Sequence, residues 1–223
     1  MSADAPRFEF VMVPDSKDAR DFVEMSSHAA DLVQAREALE LAVRSKDDVS
    51  STLDRATEAL IATAAMAYCR AFFHSERRRL VTDFVKIPEA LRDTHQLVRM
   101  FRNRTIAHSQ SELSVTYAVA VLDAETLEVR DVTAPTVLST MPSERVRDFF
   151  ELVTTVQELL DKAIEPVRSR LMAEIEAVDR AALVRNGPRP AANVVSAANF
   201  DPAATRRRYP TSHPIYLATE SGG

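Results

Sequence analysis

The first 186 residues of the chain contain no glycine; the three that exist stand at 187, 222 and 223. Backbone conformations with positive φ are cheap for glycine and costly for almost every other residue. A body without glycine therefore has no Gly-rich loop to cradle a phosphate, which excludes Walker-type ATPases and dinucleotide-binding Rossmann enzymes. With 223 residues, 46% of them hydrophobic and 27% charged, the chain has room for one sizeable core and a small appendage. Its one cysteine, Cys69, excludes an internal disulfide and a zinc site built on thiolates. Residues 59–69, the longest charge-free run in the apolar regions, are too few to cross a bilayer. The opening Met-Ser-Ala-Asp-Ala-Pro lacks the basic flank and apolar stretch of a secretory signal. The expectation is a soluble, cytoplasmic protein with no membrane partner.

Charge is unevenly spread. From Arg185 onward, five arginines against Asp201 and Glu220 give +3, which leaves −8 on the rest of a chain whose net charge is −5. An acidic body argues against broad, sequence-blind binding of duplexes, yet a local basic cleft needs only a few well-placed cations. Arginine outnumbers lysine 24 to 4. That bias fits a GC-rich genome, and it equally fits a use for bidentate phosphate recognition.

The hydrophobic period is helical over most of the chain. Residues 7–13, Arg-Phe-Glu-Phe-Val-Met-Val, read as a short strand ended by Pro14. From 15 to about 45 a helix is predicted, with Phe22, Met25, Ala29, Leu32, Val33, Leu39 and Val43 on an irregular apolar face. Ser51 and Asp54 resemble the start of a second helix that carries Leu60, Ile61, Ala64, Ala67, Tyr68 and Phe72. Its clustered alanines allow a neighbouring helix to come close. Pro88 opens a third helix through Leu91, Leu97, Val98 and Phe101. The period then turns to alternation. Val115, Tyr117, Val119 and Val121 share one face, and with Leu127, Val129 and a turn at 123–126 they predict a β-hairpin at about 113–140. From Pro142 a last helical pattern persists to about Val184, long enough that Pro166 should kink it or its second half should project. Five of the eleven prolines lie beyond residue 186, where an extended or partly disordered tail, 187–223, is expected. The fold expected is mainly α, an up-and-down helical bundle over 1–186 with an inserted hairpin.

Of five histidines, His28 and His95 read as satisfied members of helices, and His74 falls near the end of the second helix. No pair has metal-ligand spacing and no serine has the glycines of a hydrolase elbow, so neither a metal nor a cofactor is expected. His108 differs because of its neighbours. The string MFRNRTIAHS at 100–109 places Arg102, Asn103, Arg104 and His108 within seven residues at the close of an amphipathic helix. Guanidinium groups can hold a phosphodiester and its developing charge, imidazole can move a proton near pH 7, and a carboxamide can orient either. RNA brings its own nucleophile, the 2′-hydroxyl, and such cleavage leaves a cyclic phosphate.

The segment resembles the signature of the HEPN superfamily, in which an Arg, usually followed by a polar residue such as Asn, precedes a His after four to six residues. Arg102, Asn103 and His108 fit with five residues between the Arg and the His, and the flanking residues look like those of abortive-infection and toxin-associated members. Where some members carry Tyr two positions after the His, Gln110 stands here. The resemblance implies a helical bundle, a dimer in which two motifs face each other, and in many members metal-independent endoribonuclease activity. It implies RNA as substrate, and an antitoxin or regulatory protein as a partner. It casts Arg102, Asn103 and His108 as catalytic. Arg104 and the run Arg77, Arg78 and Arg79 are candidates to hold flanking phosphates.

The spacing leaves one geometric question open. On an unbroken α-helix Arg102 and His108 lie about 120° apart around the axis, whereas Arg104 and His108 lie about 40° apart. Either the helix unwinds after Thr105, or a second subunit supplies the arginine, or Arg104 is the partner within the chain. The same residues can also serve structure or binding alone: arginines at a helix end compensate its dipole, and a non-catalytic bundle can dimerise or bind RNA or protein.

Overall fold

The computed structural model describes residues 8–47, 56–73, 78–108 and 110–217. Among them the chain is mainly α, as its periodicity predicts, with five α-helices and six short strands. The helices are α1 (Lys17–Asp47), α2 (Thr57–Arg70), α3 (Arg92–Phe101), α4 (Ser143–Ala177) and α5 (Arg180–Asn186). The strands are β1 (Ser114–Thr116), β2 (Val119–Leu122), β3 (Val129–Thr133), β4 (Thr136–Leu138), β5 (Ala191–Ser196) and β6 (Ser212–Leu217). No described helix is long and apolar enough to cross a membrane.

The chain forms two compact units. One unit comprises His28–Phe73 and Leu80–Leu160; the other comprises Met1–Ser27, His74–Arg79 and Asp161–Gly223. Helices α1 and α4 each contribute a segment to both units.

The first unit holds the larger core. Leu32, Ala35, Leu39 and Ala42 of α1 are fully buried, a spacing of three and four that makes one stripe. Half of that stripe is alanine, so the apolar face of α1 is wider than its large side chains suggest. On α2, Ile61, Ala64, Ala65, Ala67, Tyr68 and Cys69 are buried, and α4 supplies Val146, Phe149, Leu152, Val153, Val156 and Leu160. The predicted cap residues Ser51 and Asp54 lie outside the described residues. The described start of α2 is instead tied to α1 by a buried hydrogen bond between the Ser45 and Thr57 hydroxyls, 2.5 Å apart. A 3₁₀ turn at Glu89–Leu91 leads from Pro88 into α3.

The hairpin forms where alternation predicts it. Strands β1 and β4 pair antiparallel with Val115 opposite Val137, and β2 pairs β3 with Val119 opposite Thr133. Asp123 nucleates the turn by accepting from the backbone N–H groups of Glu125 and Thr126. Leu127 takes a φ of 59°, a role usually left to glycine. The apolar side chains of the hairpin, Tyr117, Val119, Val121, Val129 and Val132 among them, are exposed.

The second unit corrects two expectations and gives form to a third. Residues 8–13 are not a strand: Met12 makes a backbone bond to Pro188 (2.8 Å), but no ladder forms. Extended chain without a ladder leaves its polar groups to water and side chains. Here Arg189 pairs with Glu9, and the Tyr209 hydroxyl donates to the Val13 carbonyl. The last helix does not run unbroken to Val184. It is continuous through Pro166, stops at Ala177, and restarts at Arg180, where Asp179 caps α5 by accepting from Ala182 N–H (3.0 Å). In the tail, expected to be extended or partly disordered, β5 and β6 pair in parallel from Ala191 opposite Ser212 to Ser196 opposite Leu217. Gly187 closes α5, and a Cβ there would sit 2.4 Å from the Leu183 carbonyl oxygen, so close approach of backbone explains this glycine.

Candidate active site

Helix α3 runs without interruption into the motif, but its hydrogen bonding changes there. Arg102–Ala107 is a π-helical turn, and His108, at φ −126° and ψ 0°, leaves the helix. A π turn bonds i to i+5, so it repeats between its fourth and fifth residue; such turns occur frequently at functional sites. Within the turn that spacing sets Arg102 on the side of Ile106 and Ala107, and His108 lies beyond it. The backbone of the turn is closed by Gln110 N–H donating to the Arg104 carbonyl at 2.8 Å.

Arg102 is turned toward α2. Its guanidinium carbon lies 4.7 Å from the centre of the Phe73 ring, a cation–π contact. Nη1 donates to Asn103 Oδ1 at 3.0 Å, while Nε is buried with no hydrogen-bond partner. Asn103 and His108 are exposed. Arg102 and Asn103 thus form a linked pair seated on an aromatic ring, and no hydrogen bond joins Arg102 to His108 among the described residues.

Arg104 faces elsewhere. It lines a groove of about 560 Å³ together with Leu97, Met100, Phe101 and Thr105 of its own helix. The far walls come from residues 110–113 and from Met141, Pro142 and Arg145 at the start of α4. The motif is thereby split: one arginine is packed on a ring, the other borders an open groove, and the imidazole stands exposed at the end of the turn.

A second polar pair joins α2 to α3. The Tyr68 hydroxyl and His95 Nδ1 share a hydrogen bond of 2.8 Å, and the His95 ring lies 4.6 Å from that of Phe72. Burial, with the nearby Arg99 cation, pushes the His95 imidazole down to about 4, so it is neutral at pH 7. Burial raises the Cys69 thiol to about 11, against the smaller opposing pull of Arg102 and Arg99. A protonated, buried thiol is no nucleophile.

Arg77 and His74 lie outside the described residues. Arg78 and Arg79 belong to the second unit and are engaged there: Arg78 donates to Ser27 Oγ (3.0 Å), and Arg79 pairs with Glu24 (2.8 Å) and Asp21 (2.5 Å). No group of three or more His, Cys, Asp or Glu side chains is placed to hold a metal among the described residues.

Two participants escape the sequence. Phe73 has no signal beyond an aromatic residue after α2, since its contact with Arg102 spans distant segments. Arg145, one turn into α4, reads as an ordinary surface cation until α4 is placed beside the π turn. No family model, no curated protein and no solved structure matches the chain.

Proposed function

We propose that the chain is a metal-independent endoribonuclease of HEPN type. In this reading the first unit is an up-and-down bundle of that kind, and RNA is cleaved at a site composed from two copies of the chain. The observation that carries the reading is the state of the motif: Arg102 hydrogen-bonded to Asn103, and His108 exposed at the end of the same π turn. Because Arg102 and His108 are not joined within one chain, the constellation calls for a second motif brought opposite the first.

In such a site His108 accepts the proton of the ribose 2′-hydroxyl as its oxygen attacks phosphorus. Arg102 neutralises the charge that builds on the pentacoordinate phosphorane, and Asn103 holds that guanidinium. The 5′-oxygen leaves with a proton from the second imidazole. The products are a 2′,3′-cyclic phosphate and a 5′-hydroxyl. The resemblance sets the activity among toxins and phage-defence effectors held in check by an antitoxin or regulatory protein.

The test is RNA cleavage by the purified chain with EDTA present. We expect His108→Ala and Arg102→Ala to abolish it with the fold retained. Arg102→Lys should be impaired, because a point charge replaces a planar fork. Intact RNA after incubation with folded dimer refutes the proposal. One observation favours a second reading, a non-catalytic module that binds RNA or protein: the guanidinium of Arg102 is already committed to Phe73 and Asn103. That reading expects binding without turnover, and binding that tolerates loss of His108 better than loss of several arginines.

A further inference from the structure

We infer that the groove beside the π turn is a subsite for one unpaired nucleotide of single-stranded RNA, its base on the apolar wall and its phosphate between Arg104 and Arg145. The inference takes its substrate class from the ribonuclease reading above.

Its volume of about 560 Å³ lies within the ~300–1,000 Å³ typical of small-ligand sites. That admits a base with its sugar and phosphate and excludes a duplex. Its apolar lining comes from Leu97, Met100, Phe101, Leu113, Pro142 and the buried Met141. Unpaired bases stack on such surfaces, with Arg guanidinium planes among the usual partners.

The cations are placed for a phosphate. Arg104 is exposed, and its guanidinium has no hydrogen-bond or ion-pair partner among the described residues. Arg145 donates to Asp148 at 2.9 Å, but both side chains are open to solvent, and an exposed pair three residues apart is weak enough for a phosphate to displace. Glu112 is the one carboxylate on the lining. It repels a phosphate and accepts from a base amino group, which sets the polarity of the bound nucleotide: base toward Glu112, phosphate toward the arginines. Arg104 lies in the π turn that His108 terminates, so a strand seated here runs on toward the exposed imidazole.

The experiment measures fluorescence anisotropy of a 2′-O-methyl oligoribonucleotide, which binds without being cleaved, against the full chain. The double variant Arg104→Ala/Arg145→Ala should bind at least tenfold more weakly and show a shallower dependence of affinity on salt. A second variant guards against misfolding: Met100, 57% exposed, can become Glu without disturbing the core, and its carboxylate should weaken binding several-fold. A duplex of the same sequence should bind far less tightly than the single strand. Unchanged affinity in both variants, no binding by the wild type, or equal binding of the duplex overturns the subsite. A parallel assay with unmodified RNA and EDTA separates the two readings. Cleavage that survives in variants of unchanged affinity sinks the subsite alone. Affinity that falls in the variants while the wild type never cleaves sinks the nuclease alone.

Discussion

Phe73→Leu isolates the seat of Arg102. Leucine keeps apolar bulk at the end of α2 and removes the negative ring face that lies 4.7 Å from the guanidinium carbon. Cation–π contacts contribute about 0.5 kcal/mol when exposed and about 2 kcal/mol when desolvated. Arg102 is half-buried with its Nε shut away from solvent, which places this contact at about 1–1.5 kcal/mol. If that contact holds the guanidinium where it stabilises the phosphorane, kcat should fall by about 5- to 13-fold. KM should change little, since the ring touches no substrate. The assay is initial-rate cleavage of a fluorogenic RNA with chelator present, beside thermal melts that confirm folding. A Phe73→Leu enzyme with wild-type kcat, alongside an inactive Arg102→Ala, refutes the positioning argument. Wild-type rates in Arg102→Ala refute the role of Arg102 itself.

Three further outcomes concern the fold. His95, held neutral down to about 4 against an ordinary 6.5, makes the folded state refuse a proton that the unfolded chain accepts. Its contribution is fully present above pH 6.5 and is lost as pH falls toward 4. Urea midpoints at pH 7, 5.5 and 4.5 should therefore decline, with a smaller slope in His95→Gln; parallel curves for the two proteins would contradict the cause. The N–H of Thr126, then Arg130 and the N–H of Glu125, hold Asp123 down at about 2. The hairpin turn should accordingly stay ordered at pH 4 and loosen as pH falls through about 2, read by amide exchange at residues 123–130, while Asp123→Ala loosens it at neutral pH. Gly187→Ala should destabilise the end of α5 by about 1–2 kcal/mol, because its Cβ meets the Leu183 carbonyl oxygen. Faster amide exchange at Leu183–Gly187 is the readout, and unchanged exchange there would mean the backbone yields at no cost.

The helical class, the hairpin and its turn at Asp123 are legible in the order of residues, because each is written in local periodicity or in adjacent side chains. The site is legible only as a segment. Its spacing on an ideal helix allows three arrangements; the π turn breaks the α-helical period on which that count rests, and Arg102 is aimed at Phe73. The strand expected at 7–13 fails because alternation describes a side-chain pattern, and a strand also needs a neighbour to bond with. The break before α5 is signalled by Asp179, a cap residue hidden inside an otherwise continuous helical pattern.

The amino-acid sequence alone determined the main helices, the hairpin and which side chains could do chemistry, since propensity, capping and hydrophobic period act over a few positions. Tertiary structure alone decided which of those side chains meet. Phe73 under Arg102 and Tyr68 against His95 are contacts between segments far apart in the chain, and Arg104 and Arg145, equally distant in sequence, line one groove. Their free energies arise only once the segments are packed, so no local pattern can announce them.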